Sequence, residues 1–426
     1  MTAVVFVCQW YPPEPVPVPA SIVSSLKQCG LAVTVLTGIP NYPTGEVAPG
    51  YRAGQFRRDS AGGVAVRRTP LYPSHGASSV RRIFNYVSWA LTSTIGGQSE
   101  LRRADVALVY SSPATAALPA MVARRLWGRP YVLLIQDVWP DSIFAAGFLR
   151  GPIGQLARWS LTWFMNLSYD WSDRIVVISP GMKDLIVQRG VSADKISLVY
   201  NWLPDEGEGL GAGPHEPWTR QRVGVPQDAF VLLYAGNHGK AQALDAVIHA
   251  FTQEDVGPKA HLVLVGDGIE KKKLISTAAG HPRVRFLDPV ARAEMSGLAS
   301  VSDAHLVALA DQPLFSVTMP SKFQAALAAG QPVLAVVLGD VARATKEAGA
   351  GVSAVPGDAR SIAAAVRDLA ALDQSVRSMM GRAGRAYYDK HMSRAAGSTA
   401  LAQILTNSAA ARNSTAGSAD QGEHDD

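Results

Sequence analysis

Residues 229–251, AFVLLYAGNHGKAQALDAVIHAF, carry the plan of the chain. The run 230–235 is continuously apolar and too short for an ordinary helix. Such a run fits a strand buried on both faces, as in a parallel sheet covered by helices. Gly236 and Gly239 break the pattern, and 244–251 resumes it at helical spacing. Strand, glycine-bearing turn and helix together form the repeating unit of an α/β fold.

The unit recurs in both directions. Apolar, β-branched runs stand at 4–8, 32–37, 64–68, 106–111, 131–136 and 174–178, with a further one at 196–199. A second series follows 230–235 at 261–265, 284–287, 304–308 and 333–337. Helical patterns at 20–28, 116–126 and 361–372 lie between them. Two series predict two doubly wound α/β domains with a cleft between them. The stretch 206–217, EGEGLGAGPHEP, has no apolar periodicity and reads as a linker. A helix pair is expected over 375–407, and the small, polar, acidic residues beyond it fit a disordered tail.

Length and composition agree with this plan. At roughly 100–200 residues per domain, 426 residues make two or three domains. A hydrophobic fraction of 47% excludes wholesale disorder. The formal charge of +5 suits phosphates or a membrane surface and is too small to indicate nucleic acid. Cys8 and Cys29 make neither a disulfide framework nor a metal-ligand spacing, so a reducing cytoplasm is expected. The start, MTAVVFVCQWYPPEP, has no basic region ahead of its short apolar run and reads as a first strand, not a signal peptide.

In parallel α/β sheets ligands bind beyond the carboxyl ends of the strands, so the loops there hold the candidates. Gly236, Asn237 and Lys240 follow the 230–235 run. The glycine lets a ligand approach the backbone and Lys240 can pair with a phosphate oxygen, while a plain turn with a solvated lysine is an equal reading. Gly266-Asp267-Gly268 fits a turn that caps the next helix. In Met319-Pro320-Ser321-Lys322-Phe323-Gln324, Ser321 and Gln324 have the spacing of a capping box. The same helix N-terminus beside Lys322 is a ready anion site. In the first half, Gln136 and Asp137 leave the 131–136 run next to Trp139. A carboxylate beside aromatics can hold sugar hydroxyls or accept a proton from one; a solvated loop aspartate is the plainer reading. The loop 38–52 brings Asn41, Tyr42 and Tyr51, which could grip a polar ligand.

Two stretches suit either a membrane surface or ordinary packing. From Arg81 to Leu91 (RRIFNYVSWAL), basic residues precede Phe84 and Trp89. Leu156, Trp159, Trp163 and Leu167 share a face of a second helical pattern. Basic, aromatic amphipathic helices bind anionic interfaces, and apolar stripes also pack into cores.

Eight segments, taken in order, carry a resemblance. They are GIPNYPTGEVAPGYR, RRTPLYPSHGASSVRRIFNYVSWALTS, IQDVWPDSI, RIVVISPGMKDLI, VYNW, YAGNHGKAQAL, LVGDG and PLFSVTMPSKFQAALAAGQPVLA. Together they resemble the WcaI/WbuB-like branch of the family 4 glycosyltransferases. The resemblance implies a GT-B fold of two Rossmann-like domains facing a cleft. Residues 1–203 would be the acceptor-side domain, 204–218 a linker and 219–385 the nucleotide-sugar domain. A C-terminal helix over 386–407 would cross back to the first domain, and 408–426 would be a disordered acidic tail. The implied activity moves a sugar, with retention, from a nucleotide-diphosphate sugar (UDP favoured) to a lipid-linked glycan or similar glycoside. No metal or cofactor is implied, and the place is the cytoplasm, peripherally on the inner face of the membrane.

Carried over by position, Met319, Pro320, Ser321 and Lys322 would meet the diphosphate, with Gly236, Asn237, Gly266 and Gln324 also on the donor side. Val290 lies in the tract that reads the base edge. Lys240, Lys322 and Asp137 become the catalytic candidates, and Asn41, Tyr42 and Gln136 the acceptor-side ones. Some positions depart from the family. Val317 and Ala325 stand where many relatives have two glutamates, Asn237 where many have an arginine, and Pro12 through Pro19 replace a glycine-rich loop. These departures motivate a rival, a non-catalytic GT-B partner subunit. A nucleotide-sugar 2-epimerase using His238 is the other alternative.

Overall fold

The computed structural model describes residues 1–75, 79–141, 151–203 and 217–420. Most of the expected linker, 204–216, and the end of the tail, 421–426, lie outside the described residues. The chain divides into two compact units, Met1–Asn201 with Arg394–Asp426, and Trp202–Ser393.

The first unit holds β1 (Ala3–Val7), β2 (Ala32–Gly38), β3 (Arg57–Ala61), β4 (Val64–Thr69), β5 (Val106–Ser111), β6 (Tyr131–Ile135), β7 (Arg174–Val177) and β8 (Ile196–Leu198). Their order in the sheet is β3-β4-β2-β1-β5-β6-β7-β8. Every neighbouring pair is parallel except β3 with β4. The β1 residues Val4 to Val7 are at most 2% exposed, because helices cover both faces, and this is why the run reads as unbroken apolar sequence. Strand β3 was not expected from the sequence. Its residues, RRDSA, alternate between half-buried and exposed on an edge, so no apolar run announces it. Gly62 and Gly63, both at positive φ, close the β3–β4 hairpin, as a two-residue turn of this hand requires.

The helices follow local rules. Pro17 opens the helix Pro17–Gln28, where its missing N–H costs nothing, and Ile22, Val23 and Leu26 are buried beneath it. Ser179 caps Pro180–Gln188 by accepting from the Met182 N–H at 3.2 Å. The last helix, Arg394–Asp420, packs on Pro17–Gln28, with Arg394 donating to the Ser24 and Ser25 hydroxyls at 3.0 and 2.8 Å. It corrects the expected end of order at residue 407. Ala409, Ala410 and Ala411 are the best helix formers, and no glycine interrupts before Gly417, so the helix continues.

The second unit is a six-stranded parallel sheet, β11-β10-β9-β12-β13-β14. Its strands are β9 (Phe230–Ala235), β10 (Ala260–Val265), β11 (Val284–Leu287), β12 (Ala304–Ala308), β13 (Val333–Val336) and β14 (Gly351–Ala354). In β9, Leu232 and Tyr234 join one core cluster, with Val247, Phe251 and Leu264, while Val231 and Leu233 join another, with Val263 and Leu298. Strand β14, GVSA, was also unexpected, being short and made of small residues. Its Gly351 lies so close to the Val333 carbonyl oxygen that a Cβ would collide with it.

Both sheets reverse their order once. In the first unit β1 pairs with β2 on one side and β5 on the other; in the second, β9 lies between β10 and β12. Loops at such a reversal flank the crevice in which α/β sheets bind ligands. Among the described residues, no helix is long and apolar enough to cross a membrane.

Candidate active site

In the second unit the loop after β9 gathers several of the donor-side candidates. Gly236 has φ +145° and donates to the Val265 carbonyl at 2.8 Å. A Cβ at Gly236 would run into the Lys322 side chain, with Lys322 Nζ 2.7 Å away. Lysine 322 thus lies across a position only glycine can leave open, and its ammonium sits 5.3 Å from the centre of the Tyr234 ring. Burial holds its pKa below the usual lysine value. An anion brought beside it would favour its charged form and oppose that shift. Gly266 and Gly268 continue the same packing. A Cβ on the first would strike the Gly236 carbonyl, and on the second would lie 2.5 Å from the His238 carbonyl.

Lys322 is the second residue of the helix Ser321–Ala328, so its ammonium is joined there by the N–H groups of a first helical turn. Ser321 and Ala325, one turn apart, are exposed on this helix, Met319 and Gln324 are buried, and Pro320 is half-buried. The expected capping box is corrected. Pro320 is the N-cap, Ser321 is the first helical residue, and no side chain caps the end. Proline's fixed φ suits the position before the first turn, which moves Ser321 one place inward. Asp267 likewise caps no helix; its carboxylate accepts from the Gly268 N–H at 2.8 Å.

Asn237 is exposed, and its carbonyl accepts from the Tyr234 hydroxyl at 2.7 Å. Lys240 is exposed at the start of the turn Lys240–Gln242. Val290 packs against the cluster containing Val231 and Val265. His238 is fully buried between the rings of Tyr234 and Phe286, and burial with the nearby charges of Lys271 and Lys322 lowers its pKa. Full burial keeps the imidazole from a substrate, which suits packing better than the acid–base work an epimerase would ask of it. Lys271, which sequence reasoning missed, places its ammonium 2.8 Å from Asp288. Its only sequence signal was a cation shortly after the glycine pair 266 and 268.

In the first unit the loops after β1, β2, β5 and β6 converge. Asp137 is exposed and accepts from the Ser112 hydroxyl at 2.8 Å. Gln136 and Asn201 exchange amide hydrogen bonds of 3.2 and 2.7 Å, tying the β6 loop to the segment after β8. Asn41 is 3% exposed, donating to the Ile39 carbonyl and accepting from Asn85, so it shapes the loop from inside. Tyr42 is half-buried in contact with Trp10.

The proline-filled loop hides a residue that sequence reasoning passed over. Glu14 is 5% exposed and accepts from the N–H groups of Tyr11, Asn41 and Tyr42 at 3.0, 2.9 and 2.9 Å. Burial outweighs these bonds and pushes its pKa up to about 7. Arg68, buried nearby, donates to Asp59 and to the carbonyls of Gly38 and Pro12. The two readings left open for Arg81–Leu91 divide between its aromatic residues, and Trp89 takes the packing one. It is fully buried, on the face of the helix Ser79–Gly96 that packs on Gly38, whereas Phe84 is 60% exposed. Among the described residues, no group of three His, Cys, Asp or Glu side chains could hold a metal ion.

Comparison with known proteins follows the same division. The description "Glycosyl transferase 4-like domain" matches residues 15–202, and "Glycosyl transferases group 1" matches 229–371. WcaI of Escherichia coli (strain K12), named for colanic acid biosynthesis, is 27% identical over 313 residues, 72% of this chain and 76% of WcaI. WbjE of Pseudomonas aeruginosa, named as a glycosyltransferase, is 27% identical over 284 residues, 65% of this chain and 69% of WbjE. Among solved structures, Anabaena HepE with UDP superimposes with a TM-score of 0.65 at 15% identity, covering 96% of this chain and all of HepE. Sucrose-phosphate synthase of Thermosynechococcus elongatus gives 0.66 at 14%, covering 96% and 100%. At such identities the likeness shows the fold, which is GT-B.

Proposed function

The chain belongs to the family 4 glycosyltransferases, of the WcaI-like kind, and from that premise we propose that it moves a sugar from a UDP-sugar to a lipid-linked glycan, retaining the anomeric configuration without a metal. The observation that carries the donor side is Lys322 laid over Gly236 at the N-terminus of Ser321–Ala328. Anabaena HepE, which shares the fold, was solved with UDP and with UDP-glucose. WcaI is named for the biosynthesis of a polysaccharide.

Transfer breaks the bond from the anomeric carbon to the diphosphate oxygen, and negative charge develops there. Lys322, Lys240 and the first-turn N–H groups are positioned to stabilise that charge where it forms. The acceptor hydroxyl attacks from the face the diphosphate leaves. Its oxygen bonds to the anomeric carbon and its proton passes to the departing phosphate oxygen. Asp137, steadied by Ser112, orients the acceptor.

A lipid-linked acceptor places the chain at a bilayer. Val80, Phe84, Val87, Leu91 and Ile95 fall on one stripe of Ser79–Gly96 and are between 41% and 78% exposed. Arg81 and Arg82 stand at the start of that stripe, and their charge complements anionic headgroups. Leu156, Trp159 and Trp163 make a second exposed stripe on Gly151–Trp171.

The test incubates the purified chain with labelled UDP-sugars and a detergent-solubilised polyprenyl-diphosphate-linked sugar, with EDTA present. Label is expected in the lipid fraction, with UDP released only when the acceptor is added. Nucleotide binding without any transfer would favour the non-catalytic partner that Val317 and Ala325 motivate.

A further inference from the structure

The segment that leaves β6 carries Asp137, and its course is set from both ends. At one end the Gln136 side chain is bonded to Asn201, beyond β8. At the other, Arg189 reaches in from the end of the helix Pro180–Gln188. One guanidinium nitrogen donates to the Trp139 carbonyl at 2.7 Å and to the Tyr169 hydroxyl at 3.3 Å. Another donates to the Asp141 carboxylate at 2.5 Å, and Arg158 donates to the other oxygen of that carboxylate at 2.9 Å. The Trp139 N–H donates in turn to the Asp137 carbonyl at 3.0 Å. A line of hydrogen bonds thus runs from Arg189 through the backbone of Trp139 to that of Asp137, whose carboxylate accepts from Ser112 at 2.8 Å.

The setting of Arg189 suits it to hold a loop. Its own N–H donates to the carbonyls of Leu185 and Ile186, both at 3.2 Å, so its backbone is fixed where the helix closes. A cation is favoured at that helix end. The guanidinium lies against the buried Tyr169 and is itself half-buried. Its planar fork addresses a carbonyl and a carboxylate at once in fixed directions, which an ammonium on a flexible stem does not reproduce. Arg158 already gives Asp141 a cation, so charge pairing alone does not require Arg189. The bond to the Trp139 carbonyl is a separate use of the same fork, and it is the one that bears on Asp137.

We propose that Arg189 is a positioning residue for the transfer reaction: it holds the turn 137–141 so that the Asp137 carboxylate keeps one direction. The proposal rests on the reading of Asp137 as the group that orients the acceptor. It extends that reading to a side chain on another helix, which acts through the loop backbone and not on substrate. Misplacing a positioned group by about 1 Å can cost on the order of a hundredfold in rate, so a loosened turn is felt in turnover. The donor side lies in the other unit and is not addressed by this clamp.

The experiment joins hydrogen exchange to kinetics on Arg189→Lys, which keeps a positive charge beside Asp141. Amide exchange of peptides covering 131–141, read by mass spectrometry, should be at least about tenfold faster in the variant. Peptides covering 230–235 of the second unit should exchange as in wild type and show that the variant is folded. Acceptor-dependent transfer from the UDP-sugar is then measured in wild type, Arg189→Lys, Asp137→Asn and the double variant. Arg189→Lys is expected to lower kcat about ten- to a hundredfold while calorimetric UDP affinity is unchanged. In the Asp137→Asn background the same change should cost less than about twofold, because the group it positions is already gone. A merely structural role would give equal losses in both backgrounds, and that additivity overturns the proposal. Unaltered exchange over 131–141 also overturns it. Absence of transfer by the wild-type chain removes the transferase reading instead, and the exchange result still decides whether Arg189 anchors the turn.

Discussion

Replacing Gly236 by alanine tests the donor site through its neighbour's side chain. The added methyl would overlap the Lys322 chain and come within 2.7 Å of Nζ. Ordinary carbon contacts need about 3.5–4.0 Å, so the ammonium must move roughly 1 Å or more. A displaced ammonium forfeits its charge-assisted hydrogen bond to the diphosphate, worth about 1.5–3 kcal/mol. That corresponds to roughly ten- to a hundred-and-fiftyfold weaker UDP binding. The φ of +145° adds backbone strain of about 1–3 kcal/mol in the folded state. Calorimetric titration with UDP and a thermal melt of the same sample read the two effects separately. The expected variant is folded, melts earlier and binds UDP at least tenfold more weakly. Lys322→Ala should reproduce the binding loss with little change in melting. Wild-type UDP affinity in Gly236→Ala would refute the placement of Lys322 at the diphosphate.

Lys322→Ala is expected to lower turnover at least about tenfold, measured as UDP release with acceptor present. Glu14 sets a pH dependence. Its folded pKa of about 7 lies above the ordinary 4.5, so the folded state holds the proton longer than the unfolded chain does. Its contribution is therefore full below pH 4.5 and is lost as pH rises through about 7, by some 3 kcal/mol in all. Glu14→Gln should flatten the fall in urea midpoint between pH 5 and 8; an unchanged slope would show that Glu14 does not cause it. Arg68→Met leaves Asp59 with Arg57 and the Tyr51 hydroxyl but removes the donors to the Gly38 and Pro12 carbonyls, and is expected to cost about 1–3 kcal/mol in urea unfolding. Phe84→Glu with Leu91→Glu should release the chain from phosphatidylglycerol vesicles at low salt. Sedimentation equal to wild type would remove the helix Ser79–Gly96 from the membrane account.

What could be read in advance depended on whether a role lies in local pattern. The parallel strands were legible because burial on both faces leaves an unbroken apolar run, as in 230–235. Strand β3 was not, because an exposed edge strand such as RRDSA has no such run. Lys322 could be found because a helix start beside a lysine is a local anion signal. Glu14 could not, since its three partners come from two loops joined only by folding. The choice between packing and exposure for Trp89 stayed open for a related reason. That residue shares a helix with Phe84, and only the position of β2 decides which of the two rings faces the core. Val317 and Ala325 were visible as departures; the fold accommodates them at the end of one helix and on the open side of the next.

The central claim is that the second unit binds a nucleotide diphosphate. It is tested most directly by calorimetric titration of the purified chain with UDP, GDP, ADP and dTDP, each with and without magnesium. UDP is expected to bind in both conditions, more tightly than the others, and to lose affinity in Lys322→Ala. Absence of binding by any of the four would contradict the account.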